Sequence, residues 1–309
     1  MARYLAQRLL RALATAIGVV LLVFVLVRAL PGDPARLILG DTATEADVAA
    51  MRERLHLDAG LFEQLALYAG DVLDGSLGRS FRAPDVTVAS RIAEVLPDTV
   101  VLALASVALA WTLAVPLGTL AALSRGRALD RVARIVALSG VALPTLWLGP
   151  LLVLLFAVEL RLLPMPGDDE AGALSLVLPA ATIGAALAAA LTRQTRGAMI
   201  EALAEPYVVA ARARGLSRTS AALRHGLRNA LLPVVTVSAS QLGALLGGAV
   251  VAEKLFERQG LGSLMLEAFA ARDIPVLQGT VLVVALLYVS VQVLLDLVVA
   301  ALDPRVRLG

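Results

Sequence analysis

The residue types that usually carry catalysis are scarce in this chain and poorly placed for it. Its only lysine, Lys254, follows Glu253, so no Gly-Lys-Ser/Thr sequence reaches the β- and γ-phosphates of a nucleotide. The two histidines, His56 and His225, fall on connections assigned below to opposite sides of a membrane, and cannot form a zinc pair one helical turn apart. Cysteine is absent, which removes disulfides, thiolate metal sites, iron–sulfur clusters and thiol nucleophiles. No Gly-x-Ser-x-Gly elbow presents a serine. The chain is therefore expected not to be an enzyme and to hold no metal.

One segment has the residues of recognition instead. From Glu205 it runs Pro-Tyr-Val-Val-Ala-Ala-Arg-Ala-Arg-Gly-Leu-Ser-Arg. This pattern predicts a short helix stopped at Gly215, a turn at Leu216–Ser217, and a second amphipathic helix leading into the next apolar run. Ala211 and Ala213 are expected at the surface, where their small size keeps the profile low, while Arg212 and Arg214 offer charge-assisted contacts. The unit reads as a docking knob for a cytoplasmic partner.

The elements that must position this knob follow from composition. Of 309 residues 59% are hydrophobic and 17% charged, aromatics supply 4%, and the mean hydropathy is +0.83. Soluble domains are about 45–50% apolar. The excess here is aliphatic and gathers in six segments near 9–30, 99–123, 134–158, 174–191, 231–252 and 279–301, each close to the roughly 20 residues that span a bilayer. The expected fold class is therefore all-α, a polytopic membrane helix bundle. A cleavable signal peptide fits the first segment less well, because its apolar stretch exceeds about 7–15 residues and Arg28-Ala29-Leu30-Pro31 is a poor cleavage site.

Charge fixes the orientation. Most of the 27 basic residues sit in one alternating set of connections, around Arg3, Arg8 and Arg11, Arg125 to Arg134, Arg193 to Arg228, and Arg305 with Arg307. The other set is acidic, from Asp33 and Asp41 to Glu94, and again at Asp168, Asp169 and Glu170. Arginine is retained inside, so both termini are expected to be cytoplasmic. The chain then divides into 1–30 (cytoplasmic N-terminus and first span), 31–96 (extracytoplasmic), and 97–309 (five spans and a cytoplasmic loop near 193–230). Within 31–96, segments 44–55 and 61–73 read as helices with Thr44 and Asp58 as N-caps. Pro116, Pro144 and Pro150 are expected to bend the spans that hold them. Gly243, Gly247 and Gly248 form a small-residue face for close helix packing. Asp296 is the one ionisable residue clearly inside a span. Read as an end-of-helix group reaching water or Arg305, it gives little support to an ion-coupled carrier.

The knob also resembles a known family, the inner-membrane permease subunits of bacterial ABC importers, and within it the dipeptide/oligopeptide/nickel branch. The matching residues are Tyr207, Val208, Ala210, Ala211, Arg212, Ala213, Gly215, Leu216 and Ser217, followed by His225, Leu227, Arg228, Asn229 and Pro233. Further likenesses span nearly the whole chain: Leu30-Pro31-Gly32-Asp33-Pro34, Gly75-Ser76-Leu77-Gly78-Arg79-Ser80, Leu96-Pro97-x-Thr99, Gly260-Leu261-Gly262 and Leu302-Asp303-Pro304-Arg305. Val209 and Gln259 depart from the pattern, standing where Glu or Arg and Pro are usual.

The resemblance implies a type I importer permease in the bacterial inner (plasma) membrane. It implies a second permease subunit, a paralogue by the habit of the branch, two cytoplasmic ATPase subunits carrying ATP and Mg, and an extracytoplasmic substrate-binding protein. The lipid bilayer is the remaining partner; nucleic acid is not one, and no cofactor is expected on this chain. Residues 207–217 would couple to the ATPase. Peptides are the default substrate, with nickel chelates, glutathione or haem as alternatives and an ion-coupled secondary transporter as the reading from another class.

Overall fold

The computed structural model describes residues 2–28, 33–39 and 43–302, and within them the regular elements are helical, apart from one isolated bridge between Arg79 and Thr87. Residues 29–32, Asp41 and the tail from Asp303 lie outside the described residues, and with them parts of two of the motifs named above, and Arg305 and Arg307. Helices follow from composition: in hydrocarbon each backbone N–H and C=O must be satisfied within its own segment. In chain order they are α1 (Ala2–Arg28), α2 (Pro34–Leu39), α3 (Glu45–Arg54), α4 (Leu61–Leu73), α5 (Val88–Leu123), α6 (Ala128–Ala142), α7 (Thr145–Leu152), α8 (Val177–Ala204), α9 (Pro206–Ala213), α10 (Arg218–Ala221), α11 (Leu227–Leu255), α12 (Leu261–Ala270) and α13 (Ile274–Leu302). Among the described residues, Val88–Leu123, Glu170–Ala204 and Ile274–Leu294 are long and apolar enough to cross a membrane. The expected fourth span is thus longer than its Ala-rich sequence suggested. The first expected span lies on α1, whose described apolar stretch is Leu10–Val25, and the fifth lies on α11.

The chain divides into two compact units. The first comprises Val100–Arg258 and the chain from Val291 onward, and α8 is its spine. Half of the apolar window of Glu170–Ala204 is buried within the chain, against 22% and 28% for the other two candidate spans. Leu178, Ile183, Leu187 and Leu191 of α8 pack with Leu102 and Ala110 of α5, Val234 and Leu245 of α11, and Phe256 just beyond it. Backbones approach very closely here. A Cβ on Gly184 would lie 2.8 Å from the Ser106 carbonyl oxygen, and one on Gly118 2.6 Å from the Thr195 Cβ. On Gly149 it would lie 2.1 Å from Leu255 Cδ2. None of these three glycines belongs to the small-residue face anticipated on α11. Of that face, Gly248 meets Ile183 Cγ2 at 3.5 Å and Gly247 meets nothing within 4 Å. The surroundings of Gly243 lie outside the described residues. Trp111 Nε1 donates to Ser238 Oγ at 3.0 Å, joining α5 to α11 by a partly buried polar contact.

The three prolines behave differently. Pro144 separates α6 from α7 in an extended conformation (φ −60°, ψ 140°), dividing the third expected span. Pro150 lies within α7, and the helix then widens over Val153–Glu159, where Leu160 N bonds Leu155 O at 2.9 Å. Pro116 does not interrupt α5; one missing donor in a long helix ends nothing when neighbours pack around it.

The second unit comprises Ala2–Thr99 and Gln259–Ser290. Helix α3 opens on a reciprocal cap, Asp47 N donating to Thr44 Oγ1 at 3.2 Å and Thr44 N to Asp47 Oδ2 at 3.1 Å. The cap expected from Asp58 is not formed: Gly60 precedes α4, and Asp58 instead accepts from Arg52 Nε at 2.9 Å. An ion pair within reach of a long arginine has outcompeted the local bond. The rings of Phe24 and Tyr68 stack at 6.1 Å, joining α1 to α4. Val88, Ile92, Leu261, Leu264 and Val276 form this unit's core.

The glycine contacts set a prediction. Gly184→Val should lower thermal stability of the detergent-solubilised chain by about 2 kcal/mol, since a backbone carbonyl cannot move aside. Gly247→Ala should leave it unchanged; tryptophan fluorescence melting of the two variants decides the matter.

Candidate functional site

The recognition segment begins where α8 ends. Glu205 turns the chain in an extended conformation, and Pro206 takes the first position of α9, where its missing N–H costs nothing. The helix stops as its sequence indicates. Gly215 has φ +97°, its N–H bonds Arg212 O at 2.9 Å, and Leu216 N bonds Ala211 O at 3.3 Å. This crossed pair is the Schellman arrangement, which needs the left-handed residue that glycine supplies. Ser217 then caps α10, accepting from Ser220 N at 3.2 Å. A widened turn, Ala222–Gly226, leads into α11.

The knob has two faces. Val208 is fully buried and Ala211 is 7% exposed, so Ala211 does not stand at the surface as its sequence context suggested. A helix of two turns laid on α8 and α10 must bury one stripe, and positions 208 and 211 are that stripe. The outward face carries Tyr207, Val209, Arg212, Ala213 and Arg214, all exposed, with Ala210 and Leu216 half-buried and Gly215 and Ser217 exposed. Val209, Arg212 and Ala213 stand at i, i+3 and i+4, one ridge pointing away from the chain. His225, Arg228 and Asn229 are exposed as well, and Pro233 sits half-buried in α11. Asn229 Nδ2 donates to Tyr207 Oη at 2.7 Å, tying the start of α9 to the start of α11.

Helix α8 carries a further fastening, to α6, that sequence reading missed. Asp130, 1% exposed at the start of α6, receives Arg196 of α8 through two bonds, Nε to Oδ1 at 2.6 Å and Nη2 to Oδ2 at 3.0 Å. Gly126 N adds a third at 3.0 Å, and Arg134 stands 3.8 Å away. The Arg196 guanidinium above all, then the Gly126 N–H, holds the Asp130 carboxyl far below the usual carboxylate range. The signal was present: Asp130 is an isolated acid in a connection made of arginines. Nearby, Ala122, Ala198, Met199, Ala202, Ala222 and Ala230 close a small apolar core, with Gly226 3.6 Å from Met199 Cε by its would-be Cβ.

The second unit has a fastening of its own. Asp273, 2% exposed, accepts from Ser80 Oγ and, at 3.1 Å, from Phe81 N. Arg82 bonds the Ala271 carbonyl at 3.0 Å, and Leu261 N donates to Thr99 Oγ1 at 2.8 Å. The bonds of Ser80, Phe81 and Arg82 join their segment to the connection before α13, and the Thr99 bond ties the start of α12 to α5.

Residues 114–308 match the family described as binding-protein-dependent transport system inner membrane component, and residues 1–103 match the N-terminal region of such membrane components. The chain belongs to this family: it is the permease, the non-catalytic membrane subunit, of a binding-protein-dependent ABC importer, and an inner-membrane protein. It is similar to the glutathione transport system permease protein GsiC of Escherichia coli strain K12, 40% identical over 99% of each chain. The protein of the same name from Shigella flexneri serotype 5b is 39% identical over the same share.

Removing the carboxylate tests the fastening. Asp130→Asn leaves Arg196 without its counter-charge and should cost about 3 kcal/mol. Because the folded pKa lies below the unfolded value of about 3.9, the pair's contribution is present above that value and lost as pH falls through the depressed one. Wild-type melting should therefore show an acid-limb loss that the Asn variant lacks, with no dependence on this pair between about pH 5 and 8.

Proposed function

We propose that this chain forms, with a second permease subunit, the membrane pathway for peptides delivered by an extracytoplasmic binding protein. ATPase subunits grip the ridge of α9 from the cytoplasm. The observation that carries this reading is the construction of the knob: an outward face of Tyr207, Val209 and Arg212 on a helix whose inner face and cap are fixed and whose start is tied to α11, next to an α8 bonded to α6. A solvated basic loop needs none of that. A lever that must pass a partner's movement to α8 and α11 needs all of it. Six membrane crossings with both termini inside, and the division into 1–30, 31–96 and 97–309, fit the alternation of arginine-rich and acidic connections. The open face at Gly247 suits a neighbouring subunit's helix. Likeness over the full length to permeases named for glutathione transport supports a small peptide as cargo, glutathione among them.

Reconstitution tests the reading. Uptake into vesicles should require the ATPase subunits, ATP and the binding protein together. Arg212→Ala and Val209→Asp should leave the chain folded and inserted yet lower uptake at least tenfold, with less ATPase retained on co-purification. Uptake by the lone chain under an ion gradient, or full coupling in both variants, overturns the proposal.

A further inference from the structure

The second unit encloses a cavity of about 980 Å³, bounded by α4, by the segment around 76–84 and by the start of α13. Its volume is that of a small-molecule site, roughly 300–1,000 Å³. Its wall holds polar groups whose bonding capacity the chain leaves unused. Asp71 is half-buried, and no hydrogen bond or ion pair reaches its carboxylate among the described residues. Burial, and then the neighbouring Asp74, push its pKa up, which is the mark of a carboxylate lacking a cation. Gln278 is 6% exposed, and its Nε2 donor has no partner. A buried amide in that condition is destabilising unless something else accepts its hydrogen.

These two groups share one region of wall. A Cβ placed on Gly78 would lie 3.1 Å from Asp71 Oδ2 and 3.9 Å from Pro275 Cβ, and Pro275 stands one turn before Gln278 on α13. The cavity also has a cation to spare. Arg52 is already neutralised by Asp33 at 3.1 Å and Asp58 at 2.9 Å. Arg272, by contrast, lies over the Phe269 ring at 5.6 Å, half-buried and with no carboxylate partner among the described residues.

We propose that this cavity binds a small zwitterionic, peptide-like ligand, with its ammonium group held by Asp71, its carboxylate by Arg272 and a carbonyl by the Nε2 donor of Gln278. The site would receive cargo of the class proposed above on the extracytoplasmic part of the chain, and it rests on that reading for its physiological role, not for its chemistry. A water cluster would satisfy Gln278 but would not need an unpaired acid and an unpaired guanidinium together.

The test is calorimetric titration of the full chain in lipid nanodiscs, without binding protein or ATPase. The probes are L-alanyl-L-alanine, its N-acetyl derivative and its C-terminal amide. Wild type should bind the free dipeptide. Asp71→Asn and N-acetylation should each weaken binding at least tenfold, and combined they should cost little more than either alone. Arg272→Gln should be coupled in the same way to the C-terminal amide. Gln278→Leu, which removes an unsatisfied donor and so should not unfold the chain, should weaken all three probes. Absence of binding by wild type at millimolar dipeptide, or losses that simply multiply, overturns the site. ATP-driven uptake by the assembled importer is measured in parallel: uptake without binding sinks the cavity site alone, and binding without uptake sinks the transport reading alone.

Discussion

Inside a bilayer no hydrophobic force drives one helix onto another, because lipid tails are as apolar as leucine. What holds the first unit together is the close approach of α8 to α5, α7 and α11, and everything else about that unit depends on it. Gly118 against Thr195, Gly184 against Ser106 and Gly248 against Ile183 remove the side chains that would keep helix axes apart. Alanines at 180, 189, 198 and 202 continue the same strategy along α8. The small-residue composition of this segment is what lets it act as a spine.

The spine matters because the recognition knob is built at its end. On the proposed reading, a movement delivered at Arg212 passes to α8 and α11 through contacts that do not give. The chain provides them at three levels: the inner stripe of Val208 and Ala211, the Asn229–Tyr207 bond, and the Asp130–Arg196 pair that ties α6 to α8. The glycine that ends α9 works in the same direction, since a fixed left-handed turn sets the angle at which α10 departs.

Much of this was legible in the sequence, and the rest was hidden for definable reasons. The apolar runs, the arginine alternation and the stop at Gly215 are local signals, and the structure places α5, α8, α9 and α13 where those signals stand. What failed depended on distance. Ala211 was assigned to the surface because a two-turn helix gives no periodicity long enough to tell its inner stripe from its outer one. Asp58 has the residue type of a cap, but its pairing with Arg52 depends on a fold in space. The glycines that matter most were overlooked because each is defined by a partner far along the chain, as Gly184 is by Ser106. The Asp273 bonds to Ser80 and Phe81 bridge still longer separations.

A gate driven from outside and a carrier driven by protons make opposite demands on a buried acid. A proton-coupled carrier needs a carboxylate whose affinity for protons lies near ambient pH, so that binding and release alternate with access. Asp130 is the reverse. Arginine above all, then a backbone N–H, favours its ionised form. Its bonds go to Arg196 and to Gly126 N. On the function proposed above, a carboxylate committed to structure where α6 meets α8 keeps those two helices from yielding to a partner's movement.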